Sequence, residues 1–288
     1  MSAGSLTTLI LSSSVFCLFT VSSYAGVDWE EGFEYSTKAA QTAVWESSCP
    51  TSTDYMFSST ERPRSGSRSL KMEMLGQQGV TPSPPYGSCF MNHDLTGTST
   101  TLYMRMYLYI TGPNGTGTFT GGQASSKILS ASTRNGPTNS YPNFWWLVSL
   151  WGGVKQSLTV ESSPNDANTA LIGKNISGLP LPQNQWVCWE TRATLGSPGQ
   201  ANGIIEGWVN GQLSMNFQNV RLLVATPGQF GGTNSPYAQF SYVKFYSQNG
   251  TGIIYVDDFA VSRDARIGCG SSVSDPTPPA PPRILSIN

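Results

Sequence analysis

Residues 186–217 read WVCWETRATLGSPGQANGIIEGWVNGQLSMNF. Within this stretch Asn210-Gly211 is the pair that a two-residue type I′ turn favours, because both turn residues need positive φ. The runs on either side, Ile204–Val209 and Gln212–Phe217, are therefore expected to be antiparallel neighbours. Comparable strand-like runs recur along the chain: 69–74, 101–110, 126–132, 143–150, 157–160, 185–194, 220–224, 240–246 and 252–262. Clusters of Gly, Pro, Asn and Ser separate them. After Gly26 no window of a dozen residues keeps apolar residues at helical spacing free of Gly and Pro. Many short strands with this punctuation predict an all-β sandwich or barrel.

Composition narrows the function. Charged residues are 11% of the 288, and the net charge is −1. A duplex-binding protein normally carries a basic excess, so nucleic acid is not an expected partner. Eight Trp and twelve Tyr supply rings that pack cores and also form platforms for sugars. Residues 1–25 carry no charge, hold a serine-interrupted apolar run too short to span a bilayer comfortably, and end in Ser23-Tyr24-Ala25. Small residues at those spacings read as a secretory signal peptide cut before Gly26, although Lys and Arg are missing near the start. The expected protein is secreted, with no membrane partner, and acts as a monomer. Residues 26–270 form one domain, and the proline-rich segment 271–288 reads as an extended tail.

Beyond the leader lie Cys49, Cys89, Cys188 and Cys269. An even count in an exported chain implies two disulfides, with three connectivities open. Pairing neighbours in sequence favours Cys49–Cys89 and Cys188–Cys269. None is spaced as CxxC, which argues against zinc.

Several strands carry an unusual polar face. Period-two alternation puts Tyr103, Arg105, Tyr107 and Tyr109 together. Elsewhere it groups Trp186, Cys188, Glu190 and Arg192; Ile204, Glu206 and Trp208; and Tyr242, Lys244, Tyr246 and Gln248. Lys127 is a further candidate contact. A mixture of aromatics with a few placed charges is what a ligand groove looks like. The alternative is that the aromatics pack beneath loops and the charges pair locally.

The stretch 186–213 resembles the hairpin of concanavalin A-like jelly rolls, the lectin/glucanase superfamily. IIYVDDFAVSRDARIG (253–268) is similar to the final strand of these domains, and RSGSRSLKMEM (64–74) to an early one. YVKFYSQ (242–248) resembles the Tyr-x-Lys strand of jelly-roll polysaccharide lyases. The resemblance spans most of residues 27–268 and implies two antiparallel sheets, one bent into a concave groove for a glycan. It further implies β-elimination on a uronic-acid polysaccharide. A base takes the C5 proton, an acid protonates the leaving oxygen, and a cation or amide neutralises the carboxylate. Tyr246 is the expected acid/base, with Lys244 and Arg105 on carboxylates and Gln248 donating a hydrogen bond. Tyr242, Tyr103, Tyr107, Lys127, Glu190, Arg192, Glu206 and Trp208 would line the groove.

His93, the one histidine, is the second proton-transfer candidate. The family's catalytic histidine usually follows a Gln two residues earlier, whereas Met91 stands there in this chain, and the alternative is a loop histidine. Two other functions stay open. A glycoside hydrolase would use Glu190 and Glu206, although the family's E-x-D-x-x-E strand is absent. A carbohydrate-binding module would use the same aromatic faces without His93. The chemistry requires no cofactor. A structural Ca²⁺ bound by Glu30 and Asp258 is the metal expectation, since related domains hold one where first and last strands meet, and carboxylate oxygens suit calcium. Without a metal, Asp258 would cap amides or pair with Arg263 or Arg266.

Overall fold

The structure is a computed structural model. It describes residues 26–47, 55–76, 89–121, 126–132, 144–150, 154–162, 176–197, 200–220, 222, 239–248 and 250–270. The expected leader 1–25 and tail 271–288 lie outside these residues. Among the described residues no helix is long and apolar enough to cross a membrane.

Two antiparallel sheets make a jelly-roll β-sandwich. The chain runs β1 (Trp29–Glu31), α1 (Lys38–Val44), β2 (Glu46–Ser47), β3 (Met56–Ser59), β4 (Ser69–Gly76) and β5 (Cys89–Ser99). It continues through β6 (Thr101–Thr111), β7 (Thr120–Gly121), β8 (Ser126–Ser132), β9 (Phe144–Leu150) and β10 (Lys155–Ser162). It ends with β11 (Ile176–Pro180), β12 (Trp186–Thr194), β13 (Gly203–Val209), β14 (Gln212–Val220), β15 (Phe240–Gln248) and β16 (Gly250–Ser262). The first sheet has the order β14-β13-β12-β6-β16-β4-β3, with β1 and β7 also paired to β16. The second has the order β11-β10-β9-β8-β15-β5-β2.

The expected hairpin is present: Asn210 and Gly211 have φ 49° and 81°, and β13 pairs with β14. The first and last strands also pair, Glu30 opposite Ala260. Period-two alternation fills the space between the sheets. Leu102, Met104, Met106, Leu108 and Ile110 of β6 face Met91, Leu129, Val243 and Phe245 of the second sheet within one cluster. Phe245 meets Phe259 edge-on across the sandwich, ring centroids 5.1 Å apart.

Two elements depart from the expectation. Helix α1 stands where none was expected, because its seven residues are shorter than the window that reveals helical periodicity. Thr37 caps it by accepting from the Ala40 N–H at 3.2 Å. Gln41 ties it down, donating to the Met56 carbonyl and accepting from the Ser58 N–H. His93 belongs to strand β5 rather than a loop. That strand, CFMNHDLTGTS, is too rich in Asn, Asp and Gly to read as a strand by propensity.

Candidate functional site

Strand pairing divides the expected groove residues between two sheets. Tyr103, Arg105 and Tyr107 (β6), Glu190 and Arg192 (β12), and Glu206 and Trp208 (β13) lie on the outer face of the first sheet. Lys127 (β8) and Tyr242, Lys244, Tyr246 and Gln248 (β15) lie in the second. Outer faces of a sandwich point away from each other, so Arg105 cannot share a site with Lys244 and Tyr246. Placing it there is corrected by the topology.

Part of the outer face of the first sheet, over β6, β12 and β13, is covered by its own chain. Segment 263–270 crosses β12 and β13. Its Arg266 binds Glu190 Oε2 at 2.5 Å and stacks on Trp208 at 4.5 Å. The Gly268 N–H donates to Glu190 Oε1 at 2.7 Å, and Tyr107 donates to the Gly270 carbonyl. The disulfide Cys188–Cys269 pins this segment. Its expected companion Cys49–Cys89 involves Cys49, outside the described residues. Arg192 pairs with Glu206 at 3.0 Å and lies over Tyr103. On β6, Arg64 covers the Tyr107 ring at 3.4 Å. Here the aromatics pack beneath loops and the charges pair locally. Glu190 and Glu206 are both committed to arginines, which argues against their use as a hydrolytic carboxylate pair.

The two aspartates of β16 act together. A register shift after Asp257 and a left-handed Asp258 (φ 46°) turn both carboxylates toward one loop, rather than to opposite faces. Asp257 accepts from the Arg64 and Ser65 N–H groups at 2.8 and 3.1 Å and from the Asp258 N–H at 2.8 Å. Asp258 accepts from Ser65 Oγ at 2.6 Å and pairs with Arg64, not with Arg263 or Arg266. Burial, and then the Asp258 charge, push the Asp257 carboxyl up to about 8, against the pull of those three N–H donors. The calcium expectation fits poorly here. Glu30 faces Arg105 at 3.7 Å, and the same guanidinium reaches the Asp258 carbonyl at 3.4 Å. A fixed cation already stands between the two expected ligands. Among the described residues the one group of three or more potential ligands close enough for a metal is Cys188, Glu190 and Cys269, already spent on the disulfide and on Arg266.

His93 faces inward. It pairs with the core residue Val243. Its ring stacks on Trp29 at 4.1 Å with 7° between planes, Trp45 lies 5.4 Å away, and Nδ1 meets the Val44 carbonyl at 3.0 Å. Lys244 and Tyr246 occupy the opposite side of the sheet. The single histidine therefore has a packing role at the sandwich edge, and the face of Tyr246, which it would have to share to transfer a proton there, lies on the other side of the sheet.

The outer face of the second sheet keeps the constellation that remains. Neighbouring strands align Glu46, Asn92, Lys244 and Ser130 in one row, with Tyr246 opposite Phe90 in the next and Tyr242 opposite Asp94 on the other side. Lys244 Nζ lies 3.6 Å from the Phe90 ring centroid and 5.0 Å from that of Tyr246. Ser130 Oγ donates to the Tyr246 hydroxyl at 3.2 Å. Tyr242 and Tyr246 are absent from the inter-sheet core, yet expose only 7% and 3% of their surface. Asn92 is buried, and its amide oxygen has no hydrogen-bond partner among the described residues. An ammonium, a phenol and an amide thus share one face. Asn92, Phe90 and Ser130 had not been singled out. Alternation along CFMNHDLTGTS groups Phe90, Asn92 and Asp94, a signal visible only once that segment is taken as a strand.

No protein-family model matches the sequence, and no curated protein matches it. Solved structures do. The PL-14 alginate lyase from Aplysia kurodai is similar with TM-score 0.56 and 12% identity over 83% of this chain and 100% of that one. The endo-β-1,4-glucuronan lyase from the fungus Trichoderma reesei gives TM-score 0.50 and 11% identity over 82% and 95%. A structure described among endo-acting O-glycanases of the human gut microbiota gives 0.51 and 12% over 83% and 100%. At these identities the likeness establishes the jelly-roll fold alone.

Proposed function

We propose that the protein is an exported polysaccharide lyase that cleaves a uronic-acid polymer by β-elimination. The observation that carries this is the shared face of Lys244, Tyr246 and Asn92 on adjacent strands of a fold common to alginate and glucuronan lyases. Lys244 and the Asn92 amide meet the uronate carboxylate and neutralise it, so that negative charge is accommodated as the C5–H bond breaks. Tyr246, entering the step as its phenolate, takes that proton and becomes the phenol. The C4–O4 bond then opens, the C4–C5 double bond forms, and the phenol returns a proton to the leaving oxygen. Ser130, donating to the Tyr246 hydroxyl at 3.2 Å, holds it in place. The uncharged leader-like segment 1–25 supports export.

Incubation with alginate, glucuronan, pectate and glycosaminoglycans tests this through the unsaturated uronate product, which absorbs near about 235 nm. A rise with at least one polymer is expected; a flat trace with all of them overturns the lyase reading. The inward position of His93 favours a second reading, a glycan-binding module, since the only histidine contributes no proton transfer there. Retention on an immobilised uronate polymer without any rise in absorbance selects that reading.

A further inference from the structure

The turn joining β6 to β7 carries a feature that the glycan face does not use. Residues 112–117 read GPNGTG, and Asn114-Gly115-Thr116 is an N-x-S/T triplet with no proline at its centre. The geometry of the turn is set by its neighbours. Pro113 and Asn114 occupy the centre of a β-turn closed by the Gly115 N–H on the Gly112 carbonyl at 3.1 Å. Proline second and glycine fourth is the composition such a turn favours. Gly115 and Gly117 take left-handed φ of 73° and 79°. Arg62 donates to the Gly115 carbonyl at 3.4 Å and Asn184 to the Gly117 carbonyl at 3.0 Å. The backbone is therefore held from below, while the Asn114 and Thr116 side chains are exposed.

Other turn asparagines are spent on structure. Asn184 bonds Thr111 and Gly117, Asn202 accepts from the Ser197 N–H, and Asn210 accepts from the Cys188 N–H. None of these three is followed two residues later by Ser or Thr. Asn114 makes no hydrogen bond to a described residue, and it alone of the four has the hydroxyl residue at the required spacing. Two further triplets, beginning at Asn175 and Asn249, have their asparagines outside the described residues.

We propose that Asn114 is an N-glycosylation site, modified when the chain passes through a secretory compartment. The amide nitrogen bonds to the anomeric carbon of a lipid-diphosphate-linked oligosaccharide. The sugar C1–O bond to the diphosphate breaks, the nitrogen gives up one proton, and the lipid diphosphate leaves. The inference rests on the export of the chain and is independent of what Lys244 and Tyr246 do.

The full chain is secreted from a eukaryotic host that glycosylates, once with its own residues 1–25 and once with a host leader replacing them, so that a weak leader cannot hide the acceptor. Peptide-N-glycosidase digestion in ¹⁸O-water followed by peptide mass mapping is expected to show conversion of Asn114 to labelled Asp. Thr116→Ala should abolish the label at Asn114 and Thr116→Ser should keep it. An unlabelled Asn114 in secreted protein, or label confined to Asn175 or Asn249, overturns the proposal. Asn114→Gln secretes and unfolds as the parent does if the side chain has no structural duty, which separates lost modification from lost folding.

Discussion

At the scale of single residues, Lys244, Tyr246 and Asp257 make opposite demands. The Lys244 ammonium and Tyr246 phenol contribute little to the inter-sheet core, so their removal should affect chemistry more than folding. Tyr246→Phe and Lys244→Ala are each expected to lower turnover by about 100-fold or more, the range for a lost proton-transfer or charge-stabilising group. Their thermal midpoints should stay near the parent value; steady-state rates at about 235 nm and calorimetry on the same samples check both. Asp257 carries a stability signal instead. Its folded carboxyl is pushed up to about 8, first by burial and then by Asp258. The fold thus favours the neutral acid. That contribution is full below the ordinary aspartate range, about 4, and is lost as pH rises through about 8. The unfolding midpoint of the parent should fall over that interval relative to Asp257→Asn, which cannot ionise. Parallel curves for the two proteins would show that Asp257 does not titrate there.

Among the elements, the segment 263–270 is the one whose attachment can be cut chemically. It is held by Cys188–Cys269, whose cysteines are 81 residues apart in sequence, and by Arg266 on the buried Glu190. Closing a loop of that length restricts the unfolded chain, and removing such a bond typically costs about 2–5 kcal/mol. Cys188→Ala with Cys269→Ala is expected to lower the denaturant midpoint accordingly, and Glu190→Gln to lower it further by leaving the Arg266 charge without its partner. An unchanged midpoint in the cysteine variant would mean that the ion pair alone fixes the segment. This scale also shows what the sequence discloses. The β13–β14 hairpin was legible because Asn210-Gly211 has one good conformational reason to exist. Strand β6 was legible because apolar residues stand at every second position of its sequence over 101–110. Helix α1 was not, since two turns held by Gln41 contacts derive their stability from tertiary partners. Strand β5 was not, since its Asn, Asp and Gly match a loop by composition.

For the molecule as a whole, alternation tells which residues share a face of a strand but not which sheet receives the strand. Arg105 and Lys244 both sit on polar-aromatic faces, and the topology sends them to opposite sides of the sandwich. The pairing of β1 with β16 was legible from the family likeness, whereas the arginines that occupy its acidic surroundings come from residues 64 and 105, remote in sequence. Those guanidinium groups supply the positive charge a cation would bring. A chelator is therefore expected to leave the unfolding temperature unchanged, and a fall on chelation, reversed by added calcium, would reinstate a metal at this edge. The stacking of His93 on Trp29 joins β5 of one sheet to β1 of the other, with 4.1 Å between ring centres. With one histidine in 288 residues, the imidazole Cε1–H gives a single proton resonance in the magnetic-resonance spectrum. The indole ring current displaces that resonance upfield while the two strands are together, so one assigned peak reads out the closing of the sandwich edge in real time.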